Sequence, residues 1–431
     1  MSDVAGEGRR EGAGEAAPRT LGGRLKYVGP GLVVAATGVG TGDLVSSLSA
    51  GTNFGTVLLW AIVIGALLKY VLTEALGRWY MATGDTILEG WRSLGWWAMA
   101  YFIVYLLTVT FVYGAASTSA ASLALTTAFP DALPLWMWAV LHGILGFVVV
   151  GIGRYKIFER IMEVFVGIMF VTVVGLAIVM APGLGELALG LVPRLPEGDG
   201  ALLGALAIIG GVGGTFTLAS YPYWARERGW RHPSWIPTMR TDLGVGYLTT
   251  AIFMVAMLII GAELLFARGE GISGEEGLVS LSGPIAERFG SIASVLFLVG
   301  FWAAATSSII GAWNGAAYLF SDFVWTARGA RDEEADRLLS ETGWPFRIFL
   351  VWITFPPMIL HAFGQPVLLV LIYAALGAFF MPFLAITFLW LLNRRVDRAY
   401  RNGWLANVFL TAAVLLFVIL GIQELIGALS G

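Results

Sequence analysis

Apolar runs of 18 or more residues recur from residue 27 to the end of the chain, and they restrict the fold more than any other feature. A bilayer core of about 30 Å is crossed by roughly 20 helical residues. Hydrophobic residues make up 58% of the chain and charged residues only 13%. A water-soluble protein could not hide that much apolar surface. The sequence therefore predicts an all-α integral membrane protein whose main partner is the lipid bilayer, and it argues against a soluble enzyme.

The runs predict eleven transmembrane helices. Their approximate bounds are 27–49, 55–81, 95–122, 134–152, 157–181, 201–224, 242–266, 286–320, 346–363, 366–393 and 404–428. With the N-terminus inside, 22 of the 26 Lys and Arg residues fall in cytoplasmic segments and three in outer loops. This asymmetry predicts a cytoplasmic N-terminus and an extracytoplasmic C-terminus, in what we expect to be a bacterial plasma membrane. Residues 1–24, small, polar and charged, are predicted to be a disordered cytoplasmic tail.

Several functions are excluded or disfavoured by what the sequence lacks. The net charge of −3 gives no reason to expect a nucleic-acid partner. With no cysteine, the chain can form neither disulfides nor thiolate metal sites. It also lacks the glycine-rich phosphate-binding motif of an ATP-driven pump. We expect no enzymatic activity and no resident cofactor, and the sequence leaves the oligomeric state open.

Two predicted spans contain glycine clusters that favour an interrupted helix. The first span carries Gly38, Gly40 and Gly42 within residues 37–43, and the sixth carries four glycines within residues 210–217. The members of the second cluster are Gly210, Gly211, Gly213 and Gly214. Such runs have poor helix propensity and leave backbone groups free, which a membrane tolerates only beside a buried or watery cavity.

The two clusters lie five spans apart, so the second set of five helices would be inverted relative to the first. Paired discontinuous helices in an inverted repeat are typical of secondary transporters with a midplane substrate site. The predicted units are 25–182 (helices 1–5), 183–393 (helices 6–10) and 394–431 (helix 11 and the C-terminus).

Several short motifs carry a resemblance to a known family. They are Gly29-Pro30-Gly31, Asn53-Phe54-Gly55, Ala82-Thr83-Gly84, Thr306-Ser307-Ser308 and Met381-Pro382-Phe383. In these positions the chain resembles the Nramp (natural resistance-associated macrophage protein) family of proton-coupled divalent-metal transporters. The resemblance implies a LeuT-type fold of 5+5 helices plus one, working by alternating access.

The binding motifs of that family are altered here. Its helix 1 Asp-Pro-Gly-Asn aligns with Gly40-Thr41-Gly42-Asp43, and its helix 6 Met-Pro-His stretch with Phe216 to Ala219. Its helix 10 Gln aligns with Tyr373. The resulting predicted substrate or metal site comprises Gly40, Thr41, Asp43, Gly214, Thr215, Thr217 and Tyr373.

Three further polar residues lie within the predicted spans and are predicted to act in coupling or proton movement. Lys69 and Glu74 lie in span 2, and His142 lies in span 4. Lys69 could stand in for a coupling cation, or could form a structural ion pair with Glu74 or Asp43. His142 could carry protons or could be a hydrogen-bonded packing residue. Asp43 could bind a cation, relay a proton or cap the second half of helix 1.

These residues predict a hard, oxygen-only cargo site that suits Mg²⁺ or Mn²⁺. Our first hypothesis is therefore a transporter of divalent metal ions, with protons as the expected coupling ion. A lysine near the site opposes divalent binding, which leaves a carrier of an amino acid or carboxylate as an alternative. A second alternative is a non-transporting sensor built on a transporter fold.

Overall fold

Helices and short connecting turns account for the described part of the chain, which contains no strand. The computed structural model describes residues 16–196, 200–266, 281–329, 337–363 and 366–430. Within these ranges, the side chains at positions 41, 45, 366–375, 378 and 424–430 lie outside the description.

The described residues of the first half of the chain form ten α-helices. They are α1 (Leu21–Leu25), α2 (Pro30–Gly38), α3 (Thr41–Phe54), α4 (Leu59–Thr83), α5 (Ile87–Leu94), α6 (Trp96–Ala128), α7 (Leu135–Gly151), α8 (Tyr155–Met169), α9 (Gly175–Met180) and α10 (Leu184–Gly190). A 3₁₀ turn at Gly55–Leu58 joins α3 to α4, and a π-helical turn at Phe170–Val174 joins α8 to α9.

Eight α-helices follow among the described residues of the second half. They are α11 (Ala201–Gly211), α12 (Tyr221–Glu227), α13 (Ile236–Leu264), α14 (Ser282–Phe289), α15 (Ser291–Arg328), α16 (Trp344–Thr354), α17 (Pro366–Arg394) and α18 (Trp404–Ser430). The 3₁₀ turns are Phe216–Ser220, Pro233–Trp235, Pro356–Phe363 and Arg398–Tyr400.

Helices occupy every predicted span, so the all-α class is confirmed. By length and apolar composition alone, eight helical stretches of the described chain are long enough to cross a membrane, one of them the 42-residue Gly42–Thr83. Leu135–Gly151 and Phe379–Arg394 are shorter apolar helices. The number of eleven crossings stays a prediction.

The predicted disordered tail, residues 1–24, differs from the structure at its end. Residues 1–15 lie outside the described ranges, but α1 forms a short helix that begins within the predicted tail. The Thr20 hydroxyl accepts a hydrogen bond from the Gly23 amide at 3.1 Å and caps this helix. An N-terminal cap of this kind satisfies a backbone donor that the first helical turn leaves free.

The long helix α13 packs against α2, α3 and α4, and α15 packs against α2 and α6. Close backbone approach makes the first of these contacts possible. A Cβ atom on Gly31 would lie 2.1 Å from the Asp242 carbonyl oxygen, and one on Gly246 would lie 2.3 Å from the Gly31 carbonyl oxygen. Small residues allow such tight crossings where apolar lipid gives no hydrophobic driving force. These two long helices hold the interrupted segments between them.

Candidate functional site

The first interrupted helix ends at Gly38 and resumes at Thr41. Gly40, the residue before α3, has extended backbone angles (φ −86, ψ 178). The carbonyl oxygens of Ala36 and Thr37 accept hydrogen bonds from the hydroxyls of Ser307 and Ser308 at 2.8 and 2.9 Å. Two serines of α15 therefore supply donors to the last turn before the break, as buried backbone in a membrane requires.

The second interruption separates α11 from the 3₁₀ turn that begins at Phe216. Gly213 and Gly214 both have left-handed backbone conformations, with φ of +75 and +79. Side chains rarely tolerate that region, so two glycines in succession allow the chain to leave the helix here.

The two interruptions touch each other. A Cβ atom on Gly38 would lie 2.8 Å from the backbone carbon of Gly213, closer than real Cβ contacts come. The predicted pair of discontinuous helices is confirmed, and their breaks meet at one crossing point.

Both breaks are shorter than the glycine clusters predicted. Gly42 lies inside α3, while Gly210 and Gly211 lie inside α11. Gly210 and Gly211 have a packing role instead. A Cβ on Gly210 would come within 2.6 Å of Leu420, and one on Gly211 would come within 3.1 Å of the Ser46 hydroxyl. Close helix packing thus explains two of the glycines that the sequence assigned to the break.

Asp43 joins the two breaks. Its side chain is 5% exposed, and its Oδ2 accepts a hydrogen bond from the Gly213 amide at 2.9 Å. Gly40, at the N-cap of α3, has no side chain with which to cap the helix, and Asp43 lies in the first turn of α3. Its hydrogen bond to Gly213 shows that Asp43 satisfies a backbone donor of the other break.

Lys69 reaches the same region from the middle of α4. Its side chain is fully buried, and its ammonium donates a hydrogen bond to the Gly214 carbonyl oxygen. It also lies within electrostatic range of the Asp43 carboxylate, and 5.5 Å from the centroid of the Phe417 ring. One negative and one positive side chain thus serve adjacent backbone groups of the second break.

A cavity of about 40 Å³ lies between the breaks. Oxygen-bearing side chains and glycine backbone dominate its wall. The lining residues are Thr37, Gly38, Gly40, Gly42, Asp43, Tyr113, Ala116, Ser117, Gly214, Thr217 and Ser308. Among the predicted site residues, Gly40, Asp43, Gly214 and Thr217 are therefore brought together, and we call this space the central cavity.

The remaining predicted site residues have other positions. Thr215 lines a second cavity of about 240 Å³, more apolar, which shares Asp43 and Gly214 with the first and extends to Phe417. The side chains of Thr41 and Tyr373 lie outside the described part of the chain.

Sequence reasoning missed Tyr113 and Ser117 of α6 as cavity residues. The Tyr113 hydroxyl lies 2.7 Å from the Ser308 hydroxyl, which in turn donates to the Thr37 carbonyl. The two missed residues are spaced i, i+4 and so share one face of α6. Other serines, threonines and tyrosines are spread along the same helix, so this spacing alone does not single them out.

Glu74 lies away from the central cavity. Its carboxylate accepts hydrogen bonds from Arg78 at 3.0 and 3.1 Å and from Arg240 at 2.8 and 2.9 Å. An ion pair between Lys69 and Glu74, one of the alternatives that the sequence left open, is not observed, since Glu74 is engaged by two arginines while Lys69 bonds to Gly214.

His142 also lies outside the cavity lining, with both ring nitrogens engaged. Its Nε2 accepts from the Trp302 indole at 2.9 Å, and its Nδ1 lies 2.7 Å from the Trp138 carbonyl oxygen. A carbonyl can only accept, so the ring holds its proton on Nδ1. This arrangement is the packing role that the sequence allowed.

Acceptors on α13 and α15 hold the half-helices α2 and α12 at the predicted cytoplasmic side. Asp242 accepts from the Gly29 amide, just before α2, and from the Tyr221 hydroxyl, at the start of α12, both at 2.9 Å. The Tyr223 hydroxyl donates to Asp322, and the Trp224 indole donates to the Asn314 side-chain oxygen at 2.8 Å. We call these four hydrogen bonds the inner latch.

The latch extends to a loop outside the membrane. The Asn314 amide donates to Glu341 at 3.0 Å, and burial raises the pKa of Glu341 to about 7. A proton on that carboxyl is therefore held at higher pH than on a solvated glutamate.

No group of three or more His, Cys, Asp or Glu side chains that could hold a metal ion occurs among the described residues. Any metal in the central cavity would meet a single carboxylate, Asp43, together with hydroxyl and backbone oxygens.

Comparison with known proteins identifies related sequences and folds. Residues 31–427 match the family model described as natural resistance-associated macrophage protein-like. A divalent metal cation transporter of Mycobacterium tuberculosis is 28% identical over 321 residues, which cover 69% of this chain and 71% of that relative.

Solved structures extend the similarity to the fold. A manganese transporter of Eremococcus coleocola has a TM-score of 0.72 at 17% identity and covers 96% of this chain and 88% of its own. The structure of MhsT in complex with L-phenylalanine has a TM-score of 0.56 at 16% identity and covers 97% of this chain and 100% of its own.

Proposed function

This chain belongs to the natural resistance-associated macrophage protein-like family, and from that premise we propose that it carries divalent metal ions across a membrane by alternating access. The two broken helices meet at the position where such transporters place their cargo. Asp43 would be the anionic ligand of the ion.

The observation that carries the proposal is the buried carboxyl group of Asp43, which lies in the wall of the central cavity where the two breaks meet. The central cavity, about 40 Å³, exceeds the roughly 10–15 Å³ that one water molecule needs, so it has room for a small ion together with water. The buried carboxylate supplies the negative charge that a cation requires.

The type of ligand favours a hard cation. The cavity lining offers carboxylate, hydroxyl and backbone oxygens and includes neither methionine nor histidine. Oxygen ligands suit Mg²⁺ and Mn²⁺, whereas softer ions prefer sulfur or imidazole. We therefore propose a Mn²⁺- or Mg²⁺-like cargo.

The competing proposal is a carrier of a small carboxylate that would bind to Lys69. The Lys69 ammonium already donates to the Gly214 carbonyl, and Lys69 does not line the central cavity. The positive charge is thus engaged by the protein itself, which disfavours the organic cargo.

The remaining features of the proposal concern orientation and coupling. We propose a bacterial plasma membrane location, with the N-terminus in the cytoplasm and inverted repeats at 25–182 and 183–393. If protons accompany the ion, Asp43 is the residue best placed to respond, since Glu74 and His142 lie outside the cavity lining.

Uptake of radioactive Mn²⁺ and Mg²⁺ into proteoliposomes tests the proposal. We expect uptake by the wild-type protein and a loss of roughly tenfold or more in Asp43→Asn, because about 1.4 kcal/mol of lost ion stabilisation corresponds to a factor of ten. Asp397→Asn is the matched control, since Asp397 is exposed and lies outside the cavity lining.

Two outcomes would overturn the metal proposal. One is uptake of amino acids or carboxylates by a wild-type protein that moves neither metal. The other is metal uptake that Asp43→Asn leaves at the level of the Asp397→Asn control.

A further inference from the structure

Lys69 is a fully buried cation in the middle of a membrane helix. Its ammonium donates to the Gly214 carbonyl, and the Phe417 ring lies 5.5 Å from the nitrogen. A buried ammonium is costly unless partners replace its water, and here a carbonyl dipole, an aromatic face and the nearby Asp43 carboxylate do so.

The carbonyl that Lys69 contacts belongs to a helix break. Gly213 and Gly214 leave helical geometry, so the Gly214 oxygen that Lys69 contacts lies outside the regular helix α11. Oxygens of unwound segments are the groups with which discontinuous helices coordinate small cations. Lys69 thus delivers a positive charge to a place where another transporter would bind a free ion.

Two electrostatic facts support this reading. The Asp43 carboxylate and the Lys69 ammonium meet neighbouring backbone groups of the second break, Asp43 at the Gly213 amide and Lys69 at the Gly214 carbonyl. Of the residues within the described part of α4 that face this break, Lys69 is the one whose charge acts on Asp43.

We infer that Lys69 is a tethered monovalent cation that permanently fills a coupling-cation position beside the central cavity. The transporter then needs no free alkali cation to hold the second break in its binding-competent shape. This inference rests on the proposed transport function, but the cation position can be tested separately by stability measurements.

The first test measures metal uptake in proteoliposomes with different monovalent cations. Wild-type uptake is expected to be equal in sodium, potassium and N-methylglucamine media. Lys69→Ala leaves both the carbonyl and the space of the side chain free, so its uptake should fall by roughly tenfold in N-methylglucamine and recover with sodium or methylammonium. Lys69→Met removes the charge but fills the space, so neither cation should restore it.

The second test measures thermal unfolding of the same purified proteins and needs no transport. Sodium or methylammonium should raise the melting temperature of Lys69→Ala, because a ligand that binds only the folded state stabilises it. The same salts should leave the wild type and Lys69→Met unchanged relative to N-methylglucamine.

The inference is overturned if wild-type uptake depends on sodium, or if neither cation stabilises a folded Lys69→Ala protein. If Lys69→Ala does not fold, the remaining proteins still test the inference. Sodium-dependent uptake by the wild type, or restoration of Lys69→Met by either cation, would overturn it. If the wild type moves no metal but Lys69→Ala shows selective stabilisation, the proposed cargo fails and the tethered cation stands.

Discussion

Removing the Asp242 carboxylate should release the inner latch. Asp242 accepts from the Gly29 amide and the Tyr221 hydroxyl, so it ties the starts of α2 and α12 to α13. When these half-helices swing away, water replaces the carboxylate as partner of both donors. Asp242→Ala leaves the two donors unpaired only in the closed arrangement and therefore shifts the equilibrium towards the open one.

The size of the shift follows from the two bonds. A hydrogen bond to a charged group contributes about 1.5 kcal/mol or more, so losing both destabilises the closed form by about 3 kcal/mol, roughly a hundredfold in population. Asp242→Asn keeps one carbonyl acceptor and should give a smaller shift of the same sign.

Thiol labelling measures this shift directly, because the natural chain contains no cysteine. Ala116→Cys places a single thiol in the central cavity lining. In inside-out vesicles, a membrane-impermeant maleimide should label that thiol much faster when Asp242→Ala is present.

The neighbouring Thr241→Val is the control, since Thr241 is half-buried and its hydroxyl donates within its own helix, to the Pro237 carbonyl. Equal labelling rates in the Asp242→Ala and Thr241→Val backgrounds would refute the reasoning that these two bonds keep the cavity closed on the cytoplasmic side.

Three further predictions can be checked by thermal unfolding. Gly311→Ala should lower the melting temperature, because its Cβ would lie 1.9 Å from the Thr37 hydroxyl and overpacking costs about 1–3 kcal/mol; an unchanged melting temperature would contradict this packing. Glu74→Gln should also destabilise the fold, by about 3 kcal/mol, since it leaves Arg78, only 4% exposed, without its anion; loss of proton coupling at normal stability would instead favour a transport role. Burial raises the pKa of Glu341 from an ordinary 4.5 to about 7, so the folded state binds the extra proton between these values and loses stability as pH rises through them. Glu341→Gln should therefore gain melting temperature relative to the wild type from pH 5 to pH 8, and a constant difference across that range would count against the raised pKa.

The sequence predicted the broken helices because glycine clusters leave a local signal. Low helix propensity and the five-span separation sufficed to place both breaks within a few residues. It could not separate Gly213 and Gly214, which turn the chain, from Gly210 and Gly211, which pack against other helices. That distinction depends on which neighbour each glycine meets.

The pairing of charges was harder to predict for a geometrical reason. Residues five apart, such as Lys69 and Glu74, lie on different faces of a helix, whereas Glu74 and Arg78 are four apart and face the same way. The pair of Glu74 with Arg78 was not predicted, although its helical spacing favours it. The contacts of Asp43 with Gly213 and of Lys69 with Gly214 join distant parts of the chain, and no local pattern predicts them.

The crossing of the breaks at Gly38 and Gly213 has a mechanical consequence. Main chain meets main chain there, with no flexible side chain between them to absorb a displacement. The crossing can therefore serve as a fulcrum, at which tilting one interrupted helix displaces the other directly. Adding even a methyl group at Gly38 would push the two interrupted helices apart. Attempts to redesign the cargo preference should therefore alter the oxygen ligands and leave both glycines unchanged.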